Sequence, residues 1–160
     1  MSQSSSPQSV AAVEERNKAV VRRAYDMGMN RRDMKVVDEV FSPDYIAYFR
    51  GEPPIRGRED FKVSLAAFFE AFSDLVFTVE DAIAEGDRVA IRWSATGVHS
   101  GEYRGFPPTL RVPPTGKRLT FTAIDLYRLE GGVIAEEWNT LDQLELLHQM
   151  GVAEVTARRV

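Results

Sequence analysis

Asp125 is the residue in this chain best placed to do chemistry. It lies within Lys117-Arg118-Leu119-Thr120-Phe121-Thr122-Ala123-Ile124-Asp125-Leu126-Tyr127-Arg128-Leu129. In a strand, successive side chains point to opposite faces. Leu119, Phe121, Ala123, Asp125, Tyr127 and Leu129 then share one face, apolar apart from the carboxylate. A carboxylate set in an apolar wall loses hydration and must be paired, hydrogen-bonded or protonated. Desolvation also raises its pKa toward the range where it can take and return a proton near neutral pH. The chemistry this suits is removal of a proton from a carbon beside a carbonyl. The alternative is a structural carboxylate, satisfied by backbone or by Arg92, Arg104 or Arg118.

Other side chains can join it. His99 shares strand parity with Val89, Ile91, Trp93 and Ala95 and is expected to face the same interior. There it would hydrogen-bond Asp125 or orient a substrate; otherwise it is a strand-end histidine bonded to backbone or water. His148 reads as a surface residue of the last helix. Trp93 and Trp138 can wall a pocket for a flat ligand or simply pack the core. A hydroxyl from Tyr25, Tyr45 or Tyr48 can stabilise a developing enolate, or each ring can be buried with its hydroxyl at the surface. Phe121 and Tyr127 share the face of Asp125.

The elements that must position these groups fall into two halves. Apolar residues at helical spacing predict a helix from about Ala11 to Met29. Asn30-Arg31-Arg32-Asp33 ends it, and Asp33 caps a short helix carrying Val36, Val37, Val40 and Phe41. A short strand, Tyr45–Phe49, and a third helix from about Arg58 to Phe72 complete this half. The second half alternates. One strand carries Leu75, Phe77, Val79 and Ile83, Glu85-Gly86-Asp87 turns it, and the next carries Val89 to His99. A Pro-rich loop leads to the Asp125 strand, which returns through Glu130-Gly131-Gly132 as Val133 to Trp138. Thr140 followed by Gln143 fits a capping box for a last helix, stopped by Gly151. Helices followed by an antiparallel meander make an α+β fold with a curved sheet around N-terminal helices, able to enclose a pocket. Residues 1–10 and 153–160 read as tails flanking one domain over 11–152.

Composition excludes several functions. Twenty Lys and Arg against 24 Asp and Glu give a net charge of −4, which disfavours nucleic acid. No apolar run is long enough to span a bilayer. The start resembles no secretory signal, so a cytoplasmic location is expected. With no cysteine and two distant histidines, neither a metal site nor a thiol nucleophile is expected. No phosphate-binding loop or dinucleotide fingerprint is present.

Short segments in order along the chain carry a family resemblance. They include Asn17-Lys18, Asn30-Arg31-Arg32-Asp33, Phe41-Ser42-Pro43-Asp44-Tyr45 and Gly57-Arg58-Glu59-Asp60-Phe61. Further on come Glu85-Gly86-Asp87-Arg88-Val89-Ala90, Gly105-Phe106-Pro107-Pro108-Thr109 and Pro114-Thr115-Gly116-Lys117-Arg118. Ile124-Asp125-Leu126-Tyr127-Arg128 and Glu136-Glu137-Trp138 close the set. Together they resemble the SnoaL-like polyketide cyclases of the nuclear-transport-factor-2-like superfamily. The resemblance implies a cone-shaped α+β barrel, also described as a cystatin-like roll, that forms homodimers or larger homo-oligomers. It implies intramolecular aldol closure of a small hydrophobic carbonyl substrate, with a pocket aspartate as acid/base and no metal or organic cofactor. Asp125 aligns with that aspartate. Asn17 matches a recurrent family position, where capping or interhelical hydrogen bonding explains it as well as substrate contact does. Relatives include isomerases, dehydratases and non-catalytic binding domains, so a carrier domain is the competing expectation. The family carries one Pro-Pro-Thr loop; here the tripeptide occurs at 107–109 and 113–115, with Leu110-Arg111-Val112 between. This insertion is expected to be a flexible turn at the pocket mouth that leaves the core alone, with Phe106, Leu110 or Val112 covering the substrate or, alternatively, the loop packing against another subunit. Known cyclases also place a histidine near this loop, where this chain has Phe106, with His99 upstream.

Overall fold

The computed structural model describes residues 7–49, 51–105 and 109–154. The first helix, α1, runs Pro7–Arg23, starting ahead of the expected Ala11, and widens into a π-helical segment at Ala24–Met29. Asn30 clamps that segment to the sheet by bonding both backbone groups of Phe77, at 2.8 and 2.7 Å. Asp33 caps α2 (Met34–Val40) by accepting from the Lys35 backbone N–H at 3.0 Å. Strands β1 (Phe41–Phe49) and β2 (Ile55–Arg56) precede α3 (Arg58–Ala71). The second half holds β3 (Val76–Glu85), β4 (Arg88–Val98), β5 (Tyr103–Gly105), β6 (Leu110–Val112), β7 (Arg118–Glu130) and β8 (Val133–Leu141). The last helix, α4, is Gln143–Met150. Among the described residues no helix is long and apolar enough to cross a membrane.

The α+β class holds, and the large sheet is curved and open, in the order β2-β1-β8-β7-β4-β3. It is not a simple meander. The early strand β1 joins it by pairing parallel to β8, with Ala47 opposite Glu137 and Phe49 opposite Asn139. That pairing joins residues 90 apart in the sequence, and no local pattern announces it. Alternation along β7 is strict: Leu119, Phe121, Ala123, Asp125, Tyr127 and Leu129 are buried, while Thr120, Thr122 and Ile124 are exposed. Helix α1 packs on β3 and β4, and α3 on β1, closing the concave face.

Three local expectations change. Asp142, not Thr140, caps α4, accepting from the Glu145 backbone N–H at 3.1 Å. The Leu110–Val112 insertion is a strand, β6, paired with β5 in its own two-stranded ribbon. Val112 is buried with Tyr103 in the core, so the insertion is no flexible turn. Pro-flanked residues favour extended backbone, and the apolar ends of Leu-Arg-Val gave that extended segment something to bury. Phe106, Pro107 and Pro108 lie outside the described residues, so the lid expected of Phe106 is not addressed by the fold. Gly101 marks where the chain after β4 crosses the end of α3: a Cβ there would meet the Glu70 carbonyl oxygen at 2.2 Å.

Candidate active site

Asp125 sits at the middle of the sheet, opposite Ile91 on β4 and Asn139 on β8. Its side chain is 1% exposed. Three donors and a fourth hydroxyl converge on the carboxylate. Tyr25 Oη and Trp93 Nε1 each donate to Oδ2 at 2.6 Å, and Tyr127 Oη reaches the same oxygen at 3.1 Å. Asn139 Nδ2 donates to Oδ1 at 2.5 Å. A hydroxyl has one proton. Tyr25 gives its proton to Asp125, so the Tyr25–Tyr127 contact at 2.8 Å takes its proton from Tyr127. The π-helical turn brings Tyr25 inward, where its ring packs edge-on against Phe77 with centroids 5.7 Å apart.

A second carboxyl shares this wall. Glu137, opposite Tyr127 on β8, is 4% exposed and accepts a hydrogen bond on Oε2 from Tyr45 Oη. Burial pushes its carboxyl well above the ordinary range, and the negative charge of Asp125 pushes it further. Burial also raises Asp125, but its hydrogen bonds oppose that, with Tyr25 the strongest and Trp93 next. Two carboxyls in one dry wall do not both ionise readily. The three donors on Asp125 favour the charge there, and burial beside that charge favours the proton on Glu137. Burial raises the hydroxyls of Tyr25, Tyr45 and Tyr127 far above their usual range, so all three stay protonated donors.

Asp125, Glu137 and Asn139 line a cavity of about 900 Å³. Its walls are mostly apolar: Phe49, Phe61, Leu65, Phe68, Phe77 and Trp93. The charged residues at its exposed edge are mainly acidic, with Glu52, Glu70, Glu102 and Asp142 beside Arg104. No arginine neutralises Asp125 among the described residues: Arg104 pairs with Glu102 at 2.8 Å and Arg118 with Asp74 at 2.5 Å, while Arg92 is exposed. Among the described residues no three His, Asp or Glu side chains are grouped to hold a metal ion.

The family model described as SnoaL-like polyketide cyclase matches residues 19–150. The chain belongs to the SnoaL-like polyketide cyclase family. Solved structures agree. A protein from Jannaschia sp. CCS1, assigned as a SnoaL-like polyketide cyclase, is 26% identical, with a TM-score of 0.77 over 96% of this chain and 100% of its own. AclR, a candidate hydroxylase from Streptomyces galilaeus, is 28% identical, with a TM-score of 0.74 over 88% of this chain and 99% of its own. IdmH, a candidate polyketide cyclase from Streptomyces antibioticus, is 29% identical, with a TM-score of 0.70 over 85% of this chain and 99% of its own. Among curated proteins the search finds no match. A cyclase and a hydroxylase assignment on one fold leave the reaction to be argued from the site.

Within this SnoaL-like domain the expected site residues divide. Tyr25, Trp93, Tyr127 and Tyr45 join the carboxyl network, though of these only Tyr25 and Trp93 line the cavity. Phe121 stands behind the lining, packed on Phe68, Phe72 and Trp93. His99 does point inward, with 0% exposure, but it does not reach Asp125. It lies eight residues from Ile91, the strand neighbour of Asp125, a path of roughly 26 Å along β4. Its Nδ1 accepts from the Thr115 backbone N–H at 3.3 Å, and its ring lies 5.5 Å from that of Phe72. Burial lowers its pKa, so the ring there is neutral. It anchors the chain leading into β7.

Trp138 is on the other face of the sheet. It stacks on Tyr48 at 5.5 Å with the Arg88 guanidinium over it, so neither Trp138 nor Tyr48 walls the cavity. Asn17 donates to the Gly86 carbonyl oxygen at 3.0 Å, tying α1 to the β3–β4 hairpin away from the cavity. In exchange, Glu137 and Asn139 enter the site without having been singled out. One β-bulge explains both changes. Leu129 pairs with Ile134 but Arg128 with Glu136, which leaves Ala135 as an extra residue on β8. Ile134 and Ala135 are both buried, and the parity beyond them flips. Without the bulge, Ile134, Glu136 and Trp138 would share the inner face; with it, Ala135, Glu137, Asn139 and Leu141 do.

Proposed function

We propose that this SnoaL-like protein is a cofactor-independent cyclase or isomerase acting on a small, flat, hydrophobic carbonyl compound. Asp125 takes a proton from the carbon beside the carbonyl, and the electron pair delocalises onto the carbonyl oxygen as an enolate. In a cyclisation the enolate carbon attacks a second carbonyl of the same molecule. A carbon–carbon bond forms, and the proton held by Asp125 returns to the new alkoxide. The single observation carrying this reading is a buried aspartate in the wall of an aromatic cavity, held by three hydrogen-bond donors and with no cationic partner among the described residues. The cavity would hold the substrate folded, bringing reacting carbons together, and its acidic edge disfavours anionic ligands. A homodimer would cover the outer sheet face, where Ile83 and Ile124 are exposed.

A second reading has one observation in its favour: both Asp125 oxygens already accept hydrogen bonds, as in a site built only to hold a ligand. Exchange of α-protons separates the two. In D2O followed by proton NMR, wild-type protein should speed deuterium uptake at the α-carbons of 2-tetralone above the buffer rate. Binding of 2-tetralone without faster exchange would support the carrier domain instead.

A further inference from the structure

We propose that Glu137 is a second catalytic residue, a neutral carboxylic acid whose Oε1 donates a hydrogen bond to the substrate's carbonyl oxygen. The inference rests on the reading of Asp125 as the base and assigns the group that receives the enolate charge. Base catalysis of enolisation needs such a group, because charge leaving the carbon collects on the oxygen. The tyrosines are poorly placed for that role. Tyr25 spends its proton on Asp125, and Tyr127 spends its proton on Tyr25. Tyr45 spends its proton on Glu137.

Glu137 has what they lack. Strand register sets Asp125 and Asn139 opposite each other, and Tyr127 and Glu137 opposite each other, so the two carboxyls lie diagonally on one face. Such diagonal neighbours are about 7–8 Å apart between strands, room for a carbonyl oxygen and its α-carbon to lie between them. The Tyr45 bond fixes Oε2, leaving Oε1 to the cavity that Glu137 lines. The titratable groups around it are Tyr45 from β1, Tyr127 and Asp125 from β7 and Tyr25 from the π-helical segment. None of them is cationic, and no Lys or Arg pairs with it among the described residues. An ionised Glu137 would therefore stand uncompensated beside Asp125. The proton stays on Glu137 throughout; Asp125 alone cycles one, so no external acid is consumed.

Infrared spectroscopy of the full-length chain in D2O at pH 7 tests this without a substrate. A C=O stretch of a protonated carboxyl should appear in the wild type and in Asp125→Asn, and vanish in Glu137→Gln. A wild-type spectrum lacking that band, or one in which it survives Glu137→Gln, overturns the proposal. If Glu137→Gln does not fold, wild-type protein carrying 13Cδ-labelled glutamate replaces it. One glutamate resonance should keep its protonated shift from pH 5 to 8, and its absence counts the same way. The 2-tetralone exchange assay supplies the catalytic readout. Glu137→Leu should lower the saturated exchange rate about 10²-fold, with Glu137→Gln, which retains an N–H donor, losing less. Glu137→Leu exchanging at the wild-type rate overturns the donor role even with the band present. A wild type with the band but no exchange removes the Asp125 base reading and still supports the proton on Glu137.

Discussion

Asp125→Asn should lose about 10²–10⁴-fold in α-proton exchange or ring closure, the span typical of a positioned acid/base, while its melting temperature stays near that of the wild type. The substitution keeps the shape of the side chain but cannot cycle a proton. Its network can re-form. The carboxamide oxygen can accept from Tyr25 and Trp93 in the place of Oδ2, and its NH2 can occupy the place of Oδ1. There it would meet Asn139, whose amide can turn over to present its oxygen. Thermal melting and NMR exchange on the same preparation check both halves. Activity within threefold of wild type would remove Asp125 from the chemistry. A collapsed melting temperature would make the residue structural.

The second large effect is in stability against pH. Glu137 has a raised folded-state pKa, and so, less strongly, has Asp125. In the unfolded chain both titrate near pH 4. Above that pH the unfolded state has lost protons that the folded state still holds. Stability therefore falls as pH rises from about 4 until the folded pKa is reached, and is flat beyond it. The slope is about 1.4 kcal/mol per pH unit for each proton retained. Glu137→Gln removes its share, since the amide is neutral and can still accept from Tyr45. Denaturant melts at pH 5, 6 and 7 should show the variant gaining on the wild type by about that slope per unit. A difference that does not change with pH would mean that Glu137 ionises normally in the fold.

The sequence was legible where local periodicity decided the outcome. Parity alone put Asp125 inside with Phe121 and Tyr127, and put Trp93 on the facing strand, because β4 and β7 pair without interruption from Arg88–Arg128 to Val98–Arg118. Asp33 capping α2 and Gly151 ending α4, in the left-handed conformation at φ 82°, were equally local. Legibility stopped where one residue shifted a register. Ala135 bulges out of the β8 ladder, and counting from Ile134 then turns Trp138 inward and Glu137 outward. The neighbouring Glu136 and Glu137 gave no warning: one pairs with Arg128 at 2.5 Å on the surface and the other is buried. His99 fails differently. Its face was right, but parity says nothing about distance along a strand. The parallel β1–β8 pairing, which brings Tyr45 to Glu137, depends on a contact 92 residues apart. The π-helical turn that aims Tyr25 has no periodic signature of its own.

A crystal structure with 2-tetralone bound tests the central claim most directly. The ketone should lie inside the aromatic cavity, with its α-carbon about 3–3.5 Å from an Asp125 oxygen, as a reactive geometry requires, and its carbonyl oxygen turned toward Glu137. A ketone seated in the cavity with its carbonyl and α-carbon turned away from both carboxyls would contradict it.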